Sequence, residues 1–197
     1  MPIIERNGRV IIPSIHNLAT LDAAIDAPPS VILLADVHLG NVGPLARKCK
    51  GAGHKVLVRP DLIQGLKSDK RGITLLKQEF AVDGAFTGSA STARLAHQAG
   101  LEVYWRFFLL DTRSLDSAAH QMNTMPWDGF EIAPGPMALQ CAEVLVSSAA
   151  SKPLIAGGFV SSLDMVNALF DAGYSAINTS DRSLWPSRTQ TVATPDV

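Results

Sequence analysis

A chain of 197 residues, 47% of them hydrophobic, is long enough for one domain with a sizeable core and too short for two comfortable ones. A formal net charge of −1 argues against wholesale nucleic-acid binding, and no apolar run approaches the roughly 18–20 residues of a membrane span. The N-terminus MPIIERNGRVIIPSI lacks the charged, apolar and small-residue regions of a signal peptide, and Cys49 and Cys141 belong to no CxxC or Cys/His array, so two buried reduced thiols in a cytoplasmic protein without a membrane partner are expected.

In chain order, β-rich segments are predicted at Val10–Ile15, Val31–Ala35, Lys55–Val58, Gly84–Thr87, Glu102–Phe107, Gly129–Ala133, Leu154–Ala156 and Ala176–Thr179. Helical patterns separate them at Asn17–Asp26, Pro44–Gly51, Lys70–Phe80, Thr92–Gln98, Ser114–Met122, Met137–Ser148 and Ser162–Asp171. The last of these places Leu163, Val166, Leu169 and Phe170 on one face, and Ser161-x-x-Asp164 reads as a capping box. An Ala-Gly pair followed two residues later by a β-rich triplet recurs in KGAGHKVLV, HQAGLEVYW and FDAGYSAIN. Each glycine reads as a helix stop and each triplet as the next strand. That alternation predicts a parallel sheet, in the form of a compact (β/α)8 TIM-like barrel over residues 1–185, with a doubly wound open sheet as the alternative. Residues 186–197 show no apolar periodicity and read as a disordered tail.

Ligands in either architecture sit beyond the carboxyl ends of the strands. There the sequence offers Asp36 and His38, Asp61, Thr87-Gly88-Ser89, Arg106 with Asp111, Glu131, Gly157-Gly158 and Asn178-Thr179-Ser180-Asp181. The last two ends read as a phosphate site: Gly157 and Gly158 supply open backbone, Thr179 and Ser180 supply hydroxyls, and RSLW supplies a short helix. Close packing is the competing role for the two glycines. Asp36, Asp61 and Glu131 suit ligand hydroxyls and Arg106 suits an anion, with internal ion pairs across the mouth as the other reading. No spacing demands a metal. His38 accompanies no nucleophile motif and reads as a cap or packing residue, so neither a catalytic residue nor a cofactor is predicted.

Charge is segregated along the chain. Nine basic residues between Arg47 and Lys77 meet only Asp61 and Asp69, a local excess of +7 that the remainder offsets with −8. Arg47, Lys48, Lys50, Lys67, Lys70 and Arg71 are therefore candidates for a polyanion-binding face, against the reading of a solvated surface on neighbouring helices. No RNP-like, KH-type or zinc-knuckle motif supplies base readout, and Trp105, Trp127 and Trp185 read as core or rim residues.

The segments IIPSIHN, DVHLGNV, VRPDLIQGLKSDKRGITLLK, FFLLDTRSL, GFEIAPGPM and PLIAGGFVSSLDMVNALFDAGYSAINTSDRSLW together resemble the bacterial glycerol uptake operon antiterminator family over roughly residues 11 to 185. The resemblance implies a TIM-like barrel without known catalysis that senses glycerol 3-phosphate as effector and binds leader mRNA, permitting transcription past a terminator. It places phosphate contacts at Gly157, Gly158, Thr179 and Ser180 and further polar contacts at Asp36, Asp61, Arg106 and Glu131. Three positions depart from the family pattern: His16 stands where arginine is usual, Ser89 where Lys or Arg is usual, and Arg59-Pro60-Asp61 where His-Val-Asp is usual. The expected mechanism is a population shift, in which ligand contacts order the barrel mouth and favour an RNA-competent or homodimeric form. Two alternatives stand beside it. One is an isomerase or lyase acting on a small phosphorylated metabolite, with Asp61 or Glu131 as base. The other is a diverged phosphate-ligand-binding protein without RNA binding.

Overall fold

The computed structural model describes residues 2–187. Eight parallel strands follow one another around a closed barrel: β1 (Val10–Ile15), β2 (Val31–Leu34), β3 (Lys55–Val58), β4 (Gly84–Thr87), β5 (Glu102–Phe108), β6 (Gly129–Ala133), β7 (Leu154–Gly157) and β8 (Ala176–Thr179). Closure comes from β8 pairing with β1, in register Val10 to Ala176 through Pro13 to Thr179, so the TIM-like barrel holds and the open sheet does not. Ten of the last twelve residues, for which a disordered tail is expected, lie outside the described residues.

The helices that cover the strands are α1 (Leu21–Ile25), α2 (Leu39–Gly51), α3 (Lys70–Gln78), α4 (Ala90–Gln98), α5 (Thr112–Met122), α6 (Gly135–Gln140), α7 (Ala142–Ser148) and α8 (Leu163–Asp171). Two depart from the sequence-based expectation for local reasons. Helix α2 starts five residues before Pro44, because His38 and Asn41 form a reciprocal cap: His38 Nδ1 accepts from the Gly40 amide at 3.1 Å and Asn41 Oδ1 accepts from the His38 amide at 2.8 Å. The segment expected as one helix from Met137 is two short ones, parted at Cys141 where ψ rises to 17°.

The apolar residues divide by the period-2 alternation of the strands. Outward positions such as Ile32, Val56, Ala85, Val103, Phe130 and Ile177 pack against the helices in the larger core. Inward positions Ile12, Val31, Leu33, Leu57, Phe86, Tyr104, Ile155 and Ala176 fill the lumen, which Ile4 from the N-terminal segment helps to close. Below Tyr104, the Glu102 carboxylate accepts from the Tyr104 hydroxyl at 2.7 Å and from the Ile3 amide at 2.9 Å. The lumen is therefore apolar and filled up to one level, and the next inward residue on each strand faces the mouth. Trp105, Trp127 and Trp185 are all buried, and the first two stack at 6.1 Å, as core residues.

Candidate functional site

Moving two residues along the strands from the apolar lumen gives Ser14 after Ile12, Arg59 after Leu57, Arg106 after Tyr104, Gly157 after Ile155 and Asn178 after Ala176. Glu131 on β6 joins them through its register with Arg106 and Ile155. Glu131 is 1% exposed and sits between two guanidinium groups. Arg106 Nε lies against its Oε2, Arg59 Nη2 lies 3.4 Å from its Oε1, and Asn178 Nδ2 donates to the same Oε1 at 2.7 Å. One carboxylate with two guanidiniums leaves a net single positive charge in a nearly dry layer. Such burial is tolerated only because each charge has a partner.

Above this layer opens a cavity of about 690 Å³ lined by Ser14, His16, Arg59 and Arg106, by Gly158 to Ser161, by Asn178 to Asp181, and by Phe108, Leu110, Ala133 and Pro134. Of the four phosphate candidates, Gly158, Thr179 and Ser180 line it. Gly157 lies one level lower: a Cβ there would stand 2.8 Å from Glu131 Oε1, so the missing side chain makes room for the buried carboxylate. The two adjacent glycines thus serve different ends. Gly158 holds φ +77 at the mouth, and its carbonyl accepts from the Gly135 amide at 2.7 Å, tying β7 to the start of α6.

Thr179 is fixed in place, its hydroxyl donating to the Val160 carbonyl at 2.8 Å and accepting from the Asp181 amide at 3.1 Å. Arg182–Leu184 forms the expected short helix, a single 3-10 turn capped by Asp181, whose carboxyl is held below its ordinary range by hydrogen bonds from the Ser183 hydroxyl and amide. His16 Nε2 lies 3.2 Å from Ser14 Oγ; burial and then the Arg59 charge keep its imidazole pKa below the ordinary value. The cations of the cavity at neutral pH are therefore Arg59 and Arg106.

The remaining polar candidates lie elsewhere on the same end of the barrel. Asp36 is exposed just beyond β2 and stands outside the cavity lining. Asp61 is also outside it, and its two oxygens accept from Thr87 Oγ1 at 2.5 Å and Thr92 Oγ1 at 2.7 Å, pinning the turn after β3 to β4 and α4. Ser89 caps α4, and His38 caps α2 as expected. Ser14 is marked by no sequence signal, and Asn178 and Arg59 stand in the sequence without an assigned contact; the structure places all three in the cavity wall. Asn178 is 3% exposed with its Oδ1 unpartnered, and Arg59 Nε is likewise buried without a partner. The signal that could have found them is strand alternation counted from the apolar lumen.

The basic segment splits in two. Lys48 pairs with Asp22 at 2.5 Å, Lys50 with Asp83 at 2.8 Å, and Arg47 donates to the Glu79 carbonyl at 3.2 Å, on the flank and lower end of the barrel. Lys67, Lys70 and Arg71 lie in the loop after β3 and the first turn of α3, at the mouth end. Among the described residues Lys70 and Arg71 have no ion-pair partner, and Lys67 reaches Asp69 only at 3.9 Å. Also among the described residues, no three His, Cys, Asp or Glu side chains gather to hold a metal, and no helix is long and apolar enough to cross a membrane. Cys49 is fully buried, which pushes its thiol up to about 11, while Cys141 is half-buried; both are free.

A family model described as glycerol-3-phosphate responsive antiterminator matches residues 11–185. The fold is similar to that of a glycerol uptake operon antiterminator regulatory protein from Listeria monocytogenes, at 26% identity and TM-score 0.80, covering 89% of this chain and 94% of that one. A glycerol uptake operon antiterminator-related protein from Thermotoga maritima is similar at 25% identity and TM-score 0.79, covering 92% and 98%. The uncharacterized protein YgcP of Escherichia coli K12 is 28% identical over 177 residues, which is 89% of this chain and 91% of that protein. With nearly all of the barrel matched, from β1 to the turn after β8, this chain belongs to the glycerol-3-phosphate responsive antiterminator family.

Proposed function

We propose that this chain is a glycerol 3-phosphate-responsive regulator acting in the cytoplasm, which binds leader mRNA and promotes transcription past a terminator ahead of glycerol-utilisation genes. The observation that carries the reading is the mouth itself, where two guanidiniums on a shared carboxylate face the loops after β7 and β8 across one cavity. The phosphate sits against Gly158, Thr179 and Ser180, near the two arginines, where charge-assisted hydrogen bonds are strongest. Asn178 lines the same cavity, its amide oriented by the Nδ2 hydrogen bond to Glu131. Lys67, Lys70 and Arg71 hold RNA phosphates at the same end of the barrel. Ligand binding therefore orders loops that adjoin the RNA contact, and favours the RNA-competent or dimeric form by its higher affinity for that form.

Calorimetric titration with glycerol 3-phosphate, with glycerol and inorganic phosphate as controls, tests the ligand. Saturable binding is expected, weakened at least about tenfold by Gly158→Asp, which sets a like charge against the phosphate. Because Gly158 has a positive φ, Ser180→Asp is the companion variant without a backbone demand, and the same loss is expected. Wild-type affinity in both variants would remove the phosphate from this mouth.

A further inference from the structure

His16 is a titratable side chain of the cavity wall and is exposed to solvent. Strand alternation from Ile12 through Ser14 carries it on the inward face of the barrel, above the layer of buried charge. Strand β8 is the neighbour of β1, with Pro13 opposite Thr179, so His16 rises beside the loop that carries Ser180. On its other side the Asp36 amide donates to the Ile15 carbonyl at 3.1 Å, which brings Asp36 alongside. Among the described residues the ring has one hydrogen-bond partner, Ser14 Oγ at 3.2 Å from Nε2, and Nδ1 has none. Ser14 is itself only 4% exposed. Its hydroxyl can donate to a bare Nε2 or accept from a protonated one, so the serine holds the ring in either protonation state and leaves Nδ1 free for a ligand.

The charged groups around this ring are Arg59 from β3 and Arg106 from β5, Glu131 on β6 shared between them, Asp36 beyond β2 and Asp181 beyond β8. Burial and then Arg59 keep the imidazole neutral near pH 7 in the free protein. A phosphate against Gly158, Thr179 and Ser180 reverses that balance, because it brings up to two negative charges to the same wall. An opposite charge within about 4–6 Å favours the charged form of a titrating group roughly ten- to a thousandfold. We propose that His16 is a proton-coupled phosphate ligand: neutral in the free protein, it takes one proton from solvent as glycerol 3-phosphate binds and donates a charge-assisted hydrogen bond to the phosphate. This rests on the preceding reading that the mouth holds a phosphate. The ring then supplies a third cation beside Arg59 and Arg106, present only in the complex. The complex binds the proton more tightly than the free protein, so affinity falls as pH rises through the range of the bound ring. The ligand's own ionisation works in the opposite direction: its second pKa lies at about 6, and selection of the dianion releases protons.

Calorimetric titration of the whole chain with glycerol 3-phosphate, repeated in buffers of different ionisation enthalpy, counts the protons exchanged. Net uptake of about 0.3–1 proton per ligand is expected at about pH 7.5, and log affinity should fall by a similar amount per pH unit from about pH 7 to 8.5. His16→Gln should lose both the uptake and the slope, and bind about three- to tenfold more weakly at about pH 7. His16→Arg, charged throughout that range, should show no uptake yet keep the wild-type affinity of about pH 7 up to about pH 8.5. The two variants together separate a missing charge from a disturbed wall. Binding without proton uptake overturns the proposal and leaves the phosphate reading standing. Uptake that persists in His16→Gln also overturns it, because the proton then lands on the phosphate, Asp36 or Asp181. Failure of glycerol 3-phosphate to bind overturns both.

Discussion

Glu131 holds the mouth together because it is a buried anion between two partly buried cations, and the consequence can be measured. Replacing it with alanine leaves Arg59 and Arg106 facing each other with no counter-charge, and removes the acceptor of Asn178 Nδ2. Breaking a buried pair from one side costs about 3–5 kcal/mol, so Glu131→Ala should lower the urea unfolding free energy by about that amount. Glu131→Gln keeps an acceptor for Asn178 and should cost less. A loss below ~1 kcal/mol for the alanine variant would show that the three charges are not coupled. Gly157 belongs to the same unit, since any side chain there meets the carboxylate at 2.8 Å.

At the scale of elements, helix ends decide where the loops of the mouth begin. Helix α8 starts at Leu163, and the hydroxyl that accepts its free amide is that of Ser162, from Met165 N at 3.2 Å. The capping box expected at Ser161 does not form. The cap is the single Ser162 bond one residue later, N3 is Met165, which has no reciprocating side chain, and Ser161 instead lines the cavity. Ser162→Ala should therefore destabilise the protein by about 1 kcal/mol, read as a shift of the thermal midpoint. Ser161→Ala should leave the midpoint nearly unchanged. The reverse order would restore the cap to Ser161. Asp69, Ser89 and Asp111 cap α3, α4 and α5 in the same way, so these helices too start from a side-chain oxygen at the mouth end.

For the molecule as a whole, the fold distributes charge that the chain concentrates. Barrel topology sends α2 away from the mouth, so Lys48 and Lys50 end beside Asp22 and Asp83, while Lys67, Lys70 and Arg71 stay at the ligand end. If leader RNA is held there, each lost phosphate contact lowers the slope of log affinity against log salt by about one. The Lys70→Ala/Arg71→Ala double variant should weaken RNA binding and reduce that slope by about two. Lys48→Ala/Lys50→Ala should leave the slope unchanged. A filter-binding series across salt concentrations distinguishes them, and the opposite pattern would move the RNA to the flank of the barrel.

The sequence by itself determined the order and type of the strands. The Ala-Gly stops and the β-rich triplets at Val56, Val103 and Ala176 are local signals, and local backbone preference is enough to read them. It also placed Gly158, Thr179, Ser180 and Arg106 at one end of the sheet, because strand direction carries that information. Only the tertiary structure decided what those groups touch. Glu131 reads equally well as a ligand acceptor or as a counter-ion until closure brings Arg59 from 72 residues away against it. Asp61 likewise becomes a brace only once Thr87 and Thr92 are beside it. Phe108, Leu110 and Phe159 look like core residues in a string of letters, and their exposure depends on where the barrel stops being filled. Burial and ion pairing depend on all the strands at once, and so on chain closure rather than on any segment of the chain.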